Sequence, residues 1–328
     1  MKQRAFNAGP LVSEVGIGCW QMGGTEWGEV SEADALDALR ASAEAGVTFI
    51  DTADIYGMGR SEKFVGQFLR EQGRDRFFVA TKLGRHPKPG WPGNFTAAAI
   101  REHTEASLRR LGVDAIDLTQ LHCVPLEVLK GHEAWDTLRE LKREGKIRRF
   151  GASVESTAES IAALEQPDCA SLQIIFNIFR QTPASAIFDR CRKQNVSVIV
   201  RLPLASGLLA GKYKPDTTFP ARDHRTYNAN GEKFNVGETF AGLGFQKGYE
   251  LAERLKPLVP PGFNMAQMAL RWCLDFPAVT TVIPGARNRA QAAGNASASD
   301  LPPLPPDLHL RLEDFFAIDV KPHVRGPD

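Results

Sequence analysis

Eight short apolar runs alternate with helical patterns along the chain. The runs cover residues 15–18, 48–51, 77–83, 116–122, 148–153, 171–177, 197–202 and 280–283. Most are rich in Val, Ile, Phe and Leu, the composition of strands covered on both faces. Between them the apolar period changes to that of a helix. Ser31 opens one such stretch as an N-cap with Glu32 and Asp34 behind it. Ala35, Leu36, Leu39 and Ala43 follow at helical spacing, and Gly46 stops it. Residues 96–111 repeat the design before Gly112, and 134–144 before Gly145; further helices are expected at 157–164, 183–194 and 265–274. Strict strand–helix alternation implies parallel strands, and eight of them imply closure. The expected fold is α/β, a single (β/α)8 TIM barrel spanning residues 1–328. One interval breaks the rhythm. Residues 211–245 are polar and rich in Gly, Pro and Asn, yet carry Phe219, Tyr227, Phe234 and Phe240. A loop this long in a compact domain is functional or disordered, and the aromatics favour an ordered lid before the last strand. A Pro-rich stretch at 301–306 leads to an expected last helix at 308–316.

Composition narrows the function classes. The 328 residues are 43% hydrophobic, enough for a large core, and 40 basic against 39 acidic residues leave a formal charge of +1. No global field recruits nucleic acid or an anionic membrane. The five cysteines are spread out without a C-x-x-C pair, which argues for reduced thiols and neither a disulfide framework nor a metal site. With no apolar leader and no run long enough to span a bilayer, the expected location is the cytoplasm.

The chemistry gathers at the downstream ends of the early runs. Asp51 ends one, Tyr56 follows it in Asp51-Thr-Ala-Asp-Ile-Tyr56, Lys82 ends the next and His122 another. In a closed parallel barrel those ends meet at one mouth. Tyr56 is the candidate general acid, since a phenol keeps its proton at neutral pH and can hand it to a carbonyl oxygen. A lysine ammonium about 4 Å away, at an effective dielectric near 20, is worth roughly 4 kcal/mol, or about three pK units toward a stronger acid. Lys82 is placed to supply that effect, Asp51 to hold Lys82, and His122 to steer the substrate oxygen. No side chain can supply the hydride such a reduction needs, so a nicotinamide cofactor is expected. Gly57-Met-Gly59 and Gly16-Ile-Gly18 each lack the third glycine of a dinucleotide fingerprint, and Gly207–Lys212 falls one residue short of a P-loop.

The run Asp51-Thr-Ala-Asp-Ile-Tyr-Gly-Met-Gly-Arg-Ser-Glu62, with Lys82 and His122 at their spacings, resembles the aldo-keto reductases, and the likeness extends from Val15 to about Asn295. It implies an N-terminal hairpin below the barrel and NADP(H) lying extended across the mouth. By the resemblance, Gly18, Cys19 and Trp20 are first-strand contacts, and Ser153 and Gln173 hold the nicotinamide carboxamide. Leu204, Ser206, Gly207, Leu208 and Lys212 form the pyrophosphate loop. Gly285, Arg287, Asn288, Gln291 and Asn295 receive the 2′-phosphate and adenine. Trp20, Trp91 and Phe176 are expected around the substrate. Between Gly285 and Ser299 there is no acidic residue, but Arg287 and Arg289 are present, which favours NADPH over NADH. Two positions depart from the family: Val154 stands where it has Asn, and Arg201 where it has an aromatic against the nicotinamide. A guanidinium can lie flat on that ring, and its charge should disfavour the oxidised cofactor unless a carboxylate neutralises it.

The expected activity is NADP(H)-dependent reduction of an aldehyde or ketone, sugar-like or aromatic, by an alcohol dehydrogenase of the EC 1.1.1 type. The rival within the family is a catalytically quiet, cofactor-binding redox sensor or regulatory subunit. A third reading, Lys82 as a Schiff-base amine, conflicts with a carboxylate at Asp51 that would keep the amine protonated.

Overall fold

The computed structural model describes residues 1–24 and 26–327. All eight expected strands form, seven trimmed at their ends and the last shifted by one residue. After a hairpin of β1 (Gln3–Ala5) and β2 (Leu11–Ser13) come β3 (Ile17–Gly18), β4 (Phe49–Asp51), β5 (Phe78–Leu83) and β6 (Leu118–His122). These are followed by β7 (Phe150–Ser153), β8 (Ser171–Ile175), β9 (Ser197–Arg201) and β10 (Val279–Val282). β3 to β10 lie side by side in chain order, parallel throughout. The bridges Val15–Val282 and Gly18–Gly285 join the last strand to the first and close the barrel.

Strand parity decides which side chains face inward. Ala80 pairs with Leu118, Lys82 with Gln120, His122 with Ser153, Ser153 with Gln173 and Ile175 with Arg201. Alternate residues of each strand therefore form rings inside the barrel. The lowest is apolar: Phe49, Phe78, Ala80, Leu118, Ile199 and Ile283 cluster with Phe6 and Val12 of the hairpin. Phe6 is fully buried and packs on Phe78 at 4.6 Å between ring centroids and on Phe49 at 6.0 Å. The hairpin thus plugs the bottom, as the resemblance implied. Higher rings carry Asp51, Lys82, His122, Gln173 and Arg201.

The helices follow local signals. Ser31 Oγ accepts from Asp34 N to cap Glu32–Glu44, Thr96 caps Ala97–Leu111, and Gly112 ends that helix in the left-handed region. The expected helix at 183–194 is split at Ile187, whose φ of −133° interrupts it. Arg60–Gln72, Leu126–Lys130, Phe245–Leu255 and Arg289–Ala296 are helices beyond the expectation. The first buries Phe64, Val65, Phe68 and Leu69, a pattern overlooked behind the Tyr56 motif that precedes it. The interval at 211–245 is ordered, with short helical turns at His224–Tyr227, Val236–Glu238 and Phe240–Gly242. Tyr213, Phe219, Phe240 and Phe245 pack ring against ring to hold it. Among the described residues no helix is long and apolar enough to cross a membrane, and all five cysteines are free thiols.

Candidate active site

At the mouth, Lys82 is the best-held group. It is fully buried, and its Nζ donates to Asp51 Oδ1 at 2.6 Å, to the Thr52 carbonyl at 2.8 Å and to Tyr56 Oη at 3.2 Å. Three acceptors match three N–H donors, so the amine is an ammonium. Burial works against that charge, but Asp51 and Tyr56 outweigh it and hold the Lys82 pKa above its ordinary value. Asp51 has both oxygens engaged in turn, since its Oδ2 takes a hydrogen bond from Gln173 Nε2 at 2.7 Å. Because Tyr56 Oη accepts from Lys82, its own proton is directed elsewhere.

The net electrostatics run opposite to the expectation, which had Lys82 making the phenol a stronger acid. Burial pushes the Tyr56 phenol up to about 12, Lys82 pulls it down only in part, and Asp51 pushes it up again. Desolvation outweighs the ammonium here. His122 goes the other way: burial, then Arg85, Lys82 and Arg201, hold it well below the ordinary imidazole value, so it is neutral. Its Nδ1 is buried without a hydrogen-bond partner. The Tyr56 ring lies edge to face with His122 at 5.9 Å and stacked with Trp20 at 6.0 Å. Gly57 makes that approach possible. Its φ is +59°, and a Cβ there would stand 1.6 Å from the Gly23 carbonyl oxygen.

Most of these side chains, though not the enclosed Lys82, line a cavity of about 850 Å³ that runs across the mouth, large for a small-molecule site. Gly18, Trp20, Asp51, Tyr56, His122, Gln173 and Arg201 line its deep part. Leu204, Ser206, Gly207, Lys212, Gly285, Arg287, Asn288, Gln291 and Asn295 line the rest. Ser206 and Gly207 both have positive φ, and a Cβ at Gly207 would meet Tyr213 Oη at 2.3 Å. The loop after β9 is thereby bent against the cavity.

Several expected residues lie elsewhere. Phe176 is a correction: one step beyond the inward-facing Ile175, it turns outward and is fully buried against Trp272, Phe188 and Phe276. Trp91 is another, 61% exposed on the rim with its Nε1 donating to the Cys123 carbonyl, outside the cavity lining. Cys19 and Leu208 are buried in the layer between barrel and helices and do not line the cavity. Ser153 sits inside the barrel beside Gln173, fully buried, its Oγ without a partner. Arg289 is drawn away by Asp37 and Glu44, whereas Arg287 stays at the cavity and donates to the Trp27 carbonyl at 2.7 Å. Arg201 lines the cavity but is paired with Glu238 of the lid at 3.1 Å and donates to the Val154 carbonyl.

The sequence reading missed Arg85, Trp27, Arg225, Phe234 and Glu238, all of which line the cavity. Arg85, three residues past Lys82 on the same strand end, carried a signal. The lid residues carried none, because nothing in a polar loop says which side chains turn inward. Cys123, Glu155 and Glu238 bring possible ligand atoms within 4.8 Å of one another. Arg201 and Arg85 stand against the same carboxylate, and their charges would repel a metal ion.

Fold and mouth together form a parallel barrel with a cavity at the downstream strand ends, and comparison with known proteins shows its family. The profile of the Aldo/keto reductase family matches residues 14–315. The chain is 30% identical over 295 residues to aldo-keto reductase YhdN of Bacillus subtilis, covering 87% of this chain and 84% of that one. Among solved structures it resembles the glycerol dehydrogenase AKR11B4 of Gluconobacter oxydans, with a TM-score of 0.78, 31% identity and coverage of 99% and 97%. An aldo/keto reductase of Klebsiella pneumoniae, solved with NADP and acetate, matches at a TM-score of 0.70 and 26% identity over 96% and 95% of the two chains. The chain belongs to the aldo/keto reductase family.

Proposed function

We propose that this protein is an NADP(H)-dependent reductase of aldehydes or ketones, with Tyr56 as its proton donor. The observation that carries the reading is the saturated Lys82 ammonium, which fixes the Tyr56 oxygen at the cavity and leaves the phenol proton for a ligand. The residues at the mouth fit a dinucleotide. The orphaned Ser153 Oγ and the cavity-lining Gln173 suit the nicotinamide carboxamide, the strained loop at Ser206 and Gly207 suits the pyrophosphate, and Arg287 suits the 2′-phosphate. When bound, the cofactor supplies the hydride.

The chain's own groups do the rest. Neutral His122 has an N–H to give to the carbonyl oxygen, orienting it toward Tyr56. As negative charge grows on that oxygen it becomes a stronger base than a phenolate, so even a phenol at about 12 gives up its proton downhill. Lys82 then steadies the phenolate left behind, and Asp51 keeps Lys82 charged. Trp20 and the lid exclude water from the deep end. The test is NADPH and NADH consumption against a panel of carbonyl compounds. Turnover with a preference for NADPH is expected. NADPH binding, seen by fluorescence, without turnover of any carbonyl compound would replace the reductase with a cofactor-sensing subunit.

A further inference from the structure

Arg85 stands apart from the arginines that the fold has tied down. Arg4 is held by Glu14 and by the carbonyls of Leu274 and Val279, Arg74 by Asp117 and the Phe77 carbonyl, Arg225 by both oxygens of Asp223 and by the Tyr213 hydroxyl. Arg85 lines the deep part of the cavity, and its one hydrogen-bond acceptor among the described residues is Cys123 Sγ at 3.8 Å. Glu238 Oε1 is 3.6 Å away, and the guanidinium lies over the Phe234 ring at 5.0 Å. A guanidinium offers five N–H donors in a planar fork, and with the Arg85 side chain 24% exposed most of those donors face the open cavity and are free for a ligand.

Glu238 does not occupy them, because its nearer partner is Arg201 at 3.1 Å. Two cations therefore share one carboxylate. The other acid of the cluster, Glu155, is pushed up to about 7, by burial first and by Glu238 next, so below neutrality it is mostly protonated. The surplus positive charge faces the reacting groups: Arg85 and Arg201 both depress His122, and Cys123, the neighbour of His122 in the chain, touches Arg85. Trp20, Ile55 and Phe234 give the same space apolar walls.

We propose that Arg85, backed by Arg201, receives a carboxylate carried by the carbonyl substrate, so that the substrates are aldehyde acids or oxo acids. The inference rests on the reductase reading and specifies its substrate class. Carboxylate and guanidinium match as a fork with two parallel hydrogen bonds. The carbon chain crosses the apolar walls, and the carbonyl oxygen reaches Tyr56 and His122.

The test compares kcat/KM for a short ω-oxo acid with that for its uncharged amide, with NADPH, in wild type, Arg85→Gln and Arg85→Lys. The wild type should favour the acid by at least about tenfold, roughly the discrimination given by one charged hydrogen-bonded contact. Arg85→Gln should erase most of that preference through KM for the acid, and Arg85→Lys, which keeps the charge without the fork, should restore part of it. Equal turnover of acid and amide by the wild type overturns the proposal. So does an unchanged ratio in Arg85→Gln. If that variant does not fold, competition by the saturated carboxylic acid against reduction of the amide decides: inhibition of the wild type that Arg85→Lys weakens supports the site, and absence of inhibition overturns it. Failure to reduce any carbonyl compound, acid or neutral, would instead sink the reductase reading.

Discussion

The two ends of this barrel are built from the same strands and solve opposite problems. At the bottom, Phe6, Phe49 and Phe78 stack into an apolar ring closed by the hairpin, with the Arg149 guanidinium over the Phe78 ring at 5.9 Å. At the mouth the same strands deliver Asp51, Lys82, His122 and Arg201, and the loops after β6 and β9 hold Cys123, Leu202, Ala205 and Ser206 at positive φ; at the bottom the hairpin turn does so at Asn7 and Ala8. Buried polar atoms without partners also occur at the mouth, including Ser153 Oγ, His122 Nδ1 and Arg201 Nε. The contrast fits the division expected of such barrels, with stability at one end and the proposed chemistry at the other.

Substitutions at each end should separate the two roles. The largest effect is expected from Tyr56→Phe, which keeps the ring against Trp20 and removes the proton. Carbonyl reduction should fall by two to four orders of magnitude, roughly the worth of general acid catalysis, while NADPH binding and the melting temperature stay nearly constant; a rate within threefold of wild type would assign the acid elsewhere. Phe6→Ala is the mirror experiment. It should destabilise the fold by about 3–5 kcal/mol, read from urea unfolding, with little change in kcat per folded molecule. A large loss of kcat at unchanged stability would abolish the division between the ends.

Asp54 tests how far the strained chemistry of the mouth extends into the fold. It is buried, with His103 Nδ1 3.6 Å away, and burial followed by the Glu62 charge pushes its carboxyl up to about 7. Unfolded, the group releases its proton near 4, so between about pH 4 and 7 the folded chain binds more protons and stability falls as pH rises. Asp54→Asn should remove a slope on the order of 2–4 kcal/mol across that window; parallel unfolding curves for wild type and variant would place Asp54 in contact with water. The smallest effect is expected at the outer edge of the cavity. Arg287→Ala should weaken NADPH by about 1–3 kcal/mol and leave NADH nearly untouched, whereas equal losses would mean that Arg287 does not read the phosphate.

The barrel was legible because its signals are local and repeated. Alternating apolar runs, the Ser31 and Thr96 caps and the Gly112 stop each specify an element without help from distant residues. The positions of Asp51, Lys82 and His122 at the mouth were legible for a related reason, since the downstream end of a parallel strand fixes where its side chains go, and Tyr56 follows Asp51 by a short loop. Phe176 failed because one residue of parity separates the inside of a barrel from its outside, and an apolar run hides where the strand ends. Arg201 shows a different limit. Its place at the cavity followed from β9, but the Glu238 that neutralises it comes from the lid, 37 positions further along the numbering. The repulsion expected toward an oxidised nicotinamide is accordingly muted. Net acidity was also beyond the sequence, since the push on Tyr56 depends on how completely the fold removes water around it.

The way Lys82 is held makes it chemically silent. An amine reacts with acylating or carbonyl reagents only through a free lone pair, and this nitrogen is protonated, enclosed and bound on three sides. Reagents that label exposed lysines should leave residue 82 bare for as long as the barrel stays shut, then modify it readily once the chain opens. Mass spectrometry of that one peptide would turn the residue into a clock for global opening, independent of any substrate.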